Sequence, residues 1–85
     1  MMFSQRFQLC IQVTRHARRR MLERNMDDAL LLDIIETGSV KYRDDSHLWL
    51  FKAIARRDDN LLCAAAVIEN VLVVKTVMHH FDLEV

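Results

Sequence analysis

The stretch Thr14-Arg15-His16-Ala17-Arg18-Arg19-Arg20-Met21-Leu22-Glu23-Arg24 holds five arginines and one histidine in eleven residues. Guanidinium forks match phosphate oxygens, and an imidazole moves protons near neutral pH, so the combination suits an anionic ligand, phosphate or RNA, with acid–base chemistry beside it. Thr14 is a good helix N-cap, and a helix to Asn25 is expected. On its wheel Ala17 and Met21 form a narrow buried stripe. His16, Arg20 and Arg24 make a neighbouring ridge at i, i+4, i+8 that borders the core, while Arg15, Arg18 and Arg19 point outward. Cations in a first helical turn oppose the macrodipole by a few tenths of a kcal/mol each, and Arg15, His16 and Arg18 all sit there. Two explanations stand: an anion held at this helix end, or carboxylates such as Asp27 or Asp28 neutralising the cations.

The rest of the chain adds little chemistry of its own. His79 and His80 are a second imidazole candidate after His16, but no HExxH or Cys/His spacing supports a metal. No Gly-rich phosphate loop, nucleophile elbow or carboxylate pair at helical spacing is present, and no cofactor is implied. Cys10 and Cys63 make no CxxC pair and read as buried, reduced thiols. Met1 to Cys10 lacks the apolar run of a signal peptide, and the apolar tract Leu61 to Met78 is interrupted by Glu69, Asn70 and Lys75. A soluble cytoplasmic protein is the expectation.

The elements that position these residues follow from composition and period. A chain of 85 residues with 52% hydrophobic content is one domain, 1–85, with a small but real core. One Gly and no Pro leave turns to Asp, Asn and Ser. The formal net charge is zero, yet the first 25 residues carry Arg6, Arg15, Arg18, Arg19, Arg20 and Arg24 against Glu23 alone. Residues 26–46 are acidic, through Asp27, Asp28, Asp33, Glu36, Asp44 and Asp45.

Phe7 to Val13 alternates with the period of a half-buried strand, after a loose first four or five residues. A second helix starts at the Asp27 cap and ends at Gly38, expected as a left-handed C-terminal cap. Leu30, Leu31, Ile34 and Ile35 form its apolar stripe. Strands follow over Val40 to Arg43, His47 to Arg56, Asn60 to Ile68 and Val71 to His79, the last two joined by a two-residue Glu69-Asn70 hairpin. With Ile68 opposite Val71 and Arg56 opposite Leu61, one face carries Leu48, Leu50, Lys52, Cys63, Ala65, Val67, Leu72, Val74, Thr76 and Met78. The other carries Trp49, Phe51, Leu62, Ala64, Ala66, Val73, Lys75, Val77 and His79. Two short helices cover one face only, so the other awaits a partner, a substrate or a second copy.

Thr14-x-His16-Ala17-x-x-Arg20-Met21-x-x-Arg24, then a helix ending Glu-x-Gly and apolar strands closing on Val-x-Thr-Val, resembles a small bacterial family of uncharacterised domains similar to the RelE and BrnT type toxins. The resemblance covers about residues 11 to 80. It implies an α+β fold, βααββββ, with a curved antiparallel sheet and two helices on one face. It also implies a metal-independent endoribonuclease of a toxin–antitoxin pair, in which the RNA 2′-hydroxyl is the nucleophile. On that resemblance His16 is base or acid, Arg20 a catalytic phosphate ligand with Arg24, and Lys52, Thr76 and His79 are auxiliary. Arg15, Arg19 and Lys75 complete the expected RNA contacts. The implied partners are RNA, free or on the ribosome, and a small antitoxin protein. The alternative is a non-catalytic interaction domain that self-associates, as a homodimer, through the uncovered sheet face.

Overall fold

Thr14 and Asp27 start the two helices with their side chains. In the computed structural model, which describes residues 2–53 and 61–79, the Thr14 hydroxyl accepts from the Ala17 N–H at 3.1 Å at the head of α1 (Arg15–Glu23). Asp27 Oδ1 accepts from the Leu30 N–H at 2.8 Å at the head of α2 (Asp28–Thr37). Each satisfies a backbone donor that the helix leaves orphaned, an effect worth about 1 kcal/mol. Asn25, just past α1, takes a positive φ of 53°, so a short polar residue turns the chain where glycine is scarce.

Six strands accompany the helices: β1 (Met2–Ser4), β2 (Leu9–Val13), β3 (Ser39–Tyr42), β4 (His47–Ala53), β5 (Leu61–Ile68) and β6 (Leu72–His79). They form one sheet in the order β1-β2-β6-β5-β4-β3. The fold is α+β as expected, but the element order is ββααββββ, with one strand more than the sequence suggested. Met2–Ser4, expected to be loose, pairs antiparallel with β2. The sheet is also mixed, because β2 lies parallel to β6. The C-terminal part of the predicted β4, from Ile54 to Arg56, and Asn60 lie outside the described residues.

Both helices lie on one face of the sheet. There Ala17 and Met21 of α1 and Leu31, Ile34 and Ile35 of α2 pack with Leu48, Leu50, Leu62, Ala64, Ala66, Leu72, Val74 and Val77 into one core. The face assignment therefore differs from the sequence-based one. β4 and β5 pair with Ala53 opposite Leu61, three residues short of the assumed register, which turns Leu62, Ala64 and Ala66 inward with Leu48 and Leu50. The β5–β6 link is Glu69–Val71, three residues, so Ile68 meets Leu72. These two odd shifts cancel, and Leu72 and Val74 stay on the expected face. Between Ala65 and Ala66 the β5–β6 register slips again: Ala66 faces Val74 and Ala65 faces Thr76. Lys75 is the extra residue of that bulge. Beyond it Val77, not Thr76 or Met78, faces the helices.

β1 and the turn after it are fixed from thirty residues away. Glu36 of α2 accepts from the Ser4 hydroxyl at 3.1 Å, the Gln5 N–H at 2.6 Å and the Arg6 N–H at 3.0 Å. Arg6 Nη1 in turn donates to the carbonyls of Ile35 at 3.2 Å and Gly38 at 2.6 Å, the acceptors that the end of α2 leaves unpaired. Gly38 is not left-handed, since its φ is −72° and its ψ 168°. Glycine is required there for space: a Cβ would run into the carbonyl oxygen of Ile34 and lie 2.8 Å from that of Phe51. Burial on its own pushes the Glu36 carboxyl up, but the Arg6, Gln5 and Ser4 donors outweigh it and leave the pKa below the usual 4.5. Stability from this junction is complete above that value and is lost as pH falls through the depressed folded-state pKa.

Two measurements test this junction. Glu36→Ala should lower the free energy of urea unfolding at pH 7 by about 1–3 kcal/mol, the cost of stranding its donors, and the gap to wild type should narrow towards pH 3. A gap that stays constant with pH would place the cost in packing. Gly38→Ala should lose about 1–3 kcal/mol by overpacking against backbone that cannot yield; a stabilised Gly38→Ala would refute the close approach.

Candidate functional site

The basic helix α1 presents two different sides. Towards the core, Ala17 and Met21 are buried, and Arg24 is half-buried at the C-terminal end. Arg20, on the expected ridge, reaches Glu23 Oε1 at 3.3 Å with 41% of its side chain exposed, a weak surface pair. His16 is exposed, and no side chain among the described residues orients its ring. Away from the core, Arg15, Arg18, Arg19, Leu22 and Glu23 line an open groove with Val13 of β2. Leu22 is 74% exposed in the middle of these arginines.

The carboxylate explanation of the arginine cluster holds in part. Arg18 Nη1 is ion-paired with Asp28 Oδ1, so the acidic segment does compensate one cation. Asp27 is committed to capping α2. The first turn of α1 holds no acidic residue, and no carboxylate among the described residues pairs with Arg15 or Arg19.

The remaining expected ligands are scattered. Lys52 Nζ lies 2.7 Å from Asp33 Oδ2 and 2.7 Å from the Thr37 hydroxyl, beside α2. The hydrogen bond from Lys52 draws the Asp33 carboxyl below its usual value against the opposing effect of desolvation, with the Lys52 charge and Thr37 adding to the fall. Lys52 thus joins sheet to helix and is not a free cation. Thr76 is half-buried. His79 ends β6 with its backbone opposite Leu62, and His80 lies outside the described residues. Cys10 and Cys63 are both free thiols; burial pushes the Cys63 thiol up to about 12, which makes it inert.

Lys75 belongs to an assembly that sequence reasoning gathered only in part. On the sheet face turned away from α1 and α2, Arg43, His47, Trp49, Ala65, Val67 and Lys75 line a pocket of about 200 Å³. Strand parity had placed Lys75 with Trp49, and the pocket brings them together. Arg43 and His47 were missed. They flank a turn in which Asp44 Oδ1 accepts from the Ser46 N–H at 2.9 Å and the His47 N–H at 2.8 Å, and sits 2.9 Å from His47 Nδ1. The Ser46 N–H first, then the His47 ring and N–H, hold the Asp44 carboxyl well below the usual carboxylate range. With Nδ1 engaged, Nε2 is the nitrogen His47 offers to a ligand. An Asp-x-x-His step at a turn was the available signal.

Among the described residues no group of three His, Cys, Asp or Glu side chains is placed to hold a metal ion. No helix there is long and apolar enough to cross a membrane. A family model described as a domain of unknown function (DUF4258) matches residues 13–79, from the end of β2 through β6. No curated protein and no solved structure matches the chain.

If Lys52 is a structural link, Lys52→Met should cost about 1 kcal/mol or less in urea unfolding, as a partly exposed ion pair does, and leave RNA affinity unchanged. A selective loss of RNA affinity would return Lys52 to the site.

Proposed function

The chain belongs to the DUF4258 family, and we propose that it is a toxin-like, metal-independent endoribonuclease that meets RNA along the outer side of α1. The observation that carries this reading is the pair Arg15 and Arg19, exposed beside His16 and ion-paired with no carboxylate among the described residues, Glu23 of the same groove being paired with Arg20. Phosphate oxygens supply the missing charge, and the N-terminal end of α1 adds its own partial positive charge. In the proposed reaction His16 takes the proton from an RNA 2′-hydroxyl, and the resulting oxyanion attacks the adjacent phosphorus. The bond to the 5′-oxygen breaks, a 2′,3′-cyclic phosphate forms, and the departing oxygen collects a proton from solvent. Arg15, Arg19 and Arg20 steady the charge on the phosphoryl oxygens. Neither redox partner nor metal is needed for that balance. A small antitoxin protein is the expected regulator under this reading.

A second reading is supported by the sheet face turned away from α1 and α2. Trp49 and Phe51 lie there half-buried, and such a surface suits a non-catalytic, self-associating domain. Sedimentation of the purified chain separates the two: a stable dimer with no activity on RNA favours the second.

In chelator-containing buffer the protein should cleave single-stranded RNA to products with 2′,3′-cyclic phosphate and 5′-hydroxyl ends. His16→Ala should slow cleavage by about 10²–10⁴-fold, the usual worth of a general base. Arg15→Ala with Arg19→Ala should flatten the dependence of log affinity on log salt by roughly 1.4, for two lost phosphate contacts. RNA left intact by wild type under these conditions would sink the nuclease reading.

A further inference from the structure

The pocket on the sheet face turned away from α1 and α2 is built from separate parts of the chain. Its cations come from the β3–β4 turn, Arg43, and from the β6 bulge, Lys75, while Trp49 belongs to β4 and Ala65, Ala66 and Val67 to β5. The bulge matters because Lys75 has no opposite number on β5, and an unpaired bulge residue is free to re-aim its side chain. At about 200 Å³ the pocket is smaller than the roughly 300–1,000 Å³ that drug-sized ligands fill. It accommodates one planar ring system, with the rest of the ligand at its mouth. An apolar lining with one indole suits such a ring. Two cations and an oriented imidazole suit an anionic group attached to it. Asp44 is spent on its own turn, and Asp45, exposed in that turn, is not part of the lining.

We propose that this pocket binds a nucleoside monophosphate unit, its base against Trp49 and its phosphate held by Arg43 and Lys75 with His47 alongside. Inorganic phosphate alone leaves the apolar lining unused, and a neutral ring leaves the cations unused. The unit is either a free nucleotide or one residue of an RNA chain. The site lies on the sheet face opposite α1, and it stands or falls independently of cleavage at His16.

Trp49 is the only tryptophan in the chain, so tryptophan fluorescence is read from a residue of this pocket. The full-length protein is titrated with AMP, UMP, adenosine, inorganic phosphate and a short single-stranded RNA. Saturable change with AMP or UMP, at least about tenfold tighter than with adenosine or phosphate, is the expected result for a free nucleotide. Saturation by the RNA alone assigns the pocket to one residue of a chain. Arg43→Gln and Lys75→Gln, both at exposed positions, should each weaken binding by about tenfold, and Lys75→Arg should restore most of it. Circular dichroism checks that each variant is folded. No saturable change with any probe, or undiminished binding by the folded Arg43→Gln/Lys75→Gln double variant, overturns the proposal. AMP binding with RNA left uncleaved retains this site and discards the nuclease.

Discussion

The Thr14 hydroxyl accepts from the Ala17 N–H and donates to the Lys75 carbonyl, each at 3.1 Å, while the Thr14 N–H reaches the Val74 carbonyl at 3.1 Å. One residue thus ends β2, starts α1 and fastens both to the central strand β6 where its register slips. A hydroxyl is suited to this because it donates and accepts at once. Beyond the slip Val77 faces the helices beside Val74, and Lys75 is left to the opposite face. The core under α1 and the pocket across the sheet consequently share one anchor point. A change that loosened Thr14 would act on both faces together.

Side chains perform the same kind of work elsewhere, because the chain has one Gly and no Pro with which to shape its turns. Asp27 caps α2, Asp44 organises the β3–β4 turn, and Glu36 gathers the β1–β2 turn. The acidic middle segment therefore has duties distinct from bulk charge balance. Asp33 holds Lys52 and Asp28 holds Arg18, but Asp27, Glu36 and Asp44 are turned towards backbone N–H groups, where a charge-assisted hydrogen bond is stronger than an exposed ion pair. Neutralisation of α1 is consequently incomplete even though the net charge is zero.

What could be read from the sequence followed local rules. Both helices begin at their expected caps, and Ala17 with Met21 is the buried stripe that the wheel gives. The pairing of Lys75 with Trp49 across the sheet was legible from alternation. Long-range facts were not legible. β1 is three residues without a periodic signature, and it is held by Glu36, a contact that no window of sequence contains. The β4–β5 register depended on a connection whose length alternation does not set, and a three-residue error turned β5 over. The bulge did leave a trace: Lys75 and Thr76 are two successive polar residues between Val74 and Val77. The left-handed Gly38 failed for another reason, since glycine there answers to the crowding of two carbonyls and not to φ.

The two histidines with chemical potential differ in what their surroundings have already done. His47 is tethered through Nδ1 to a carboxylate that two backbone N–H groups also hold, so its orientation costs a ligand little. His16 has no such tether among the described residues, and a reaction at His16 would need the substrate to fix the ring, at the expense of binding free energy. What α1 offers instead is charge. Asp28 offsets Arg18, whereas the Thr14 cap satisfies a donor without supplying a negative charge, so Arg15 keeps its unfavourable interaction with the helix dipole and adds to the positive charge of Arg19 one turn on. An anion laid along that side relieves the repulsion and can carry its own orienting contacts to His16. Under the proposed reading α1 therefore meets an extended anion that brings several phosphates, and the proposed pocket on the opposite face a single compact unit whose place His47 has already helped to set.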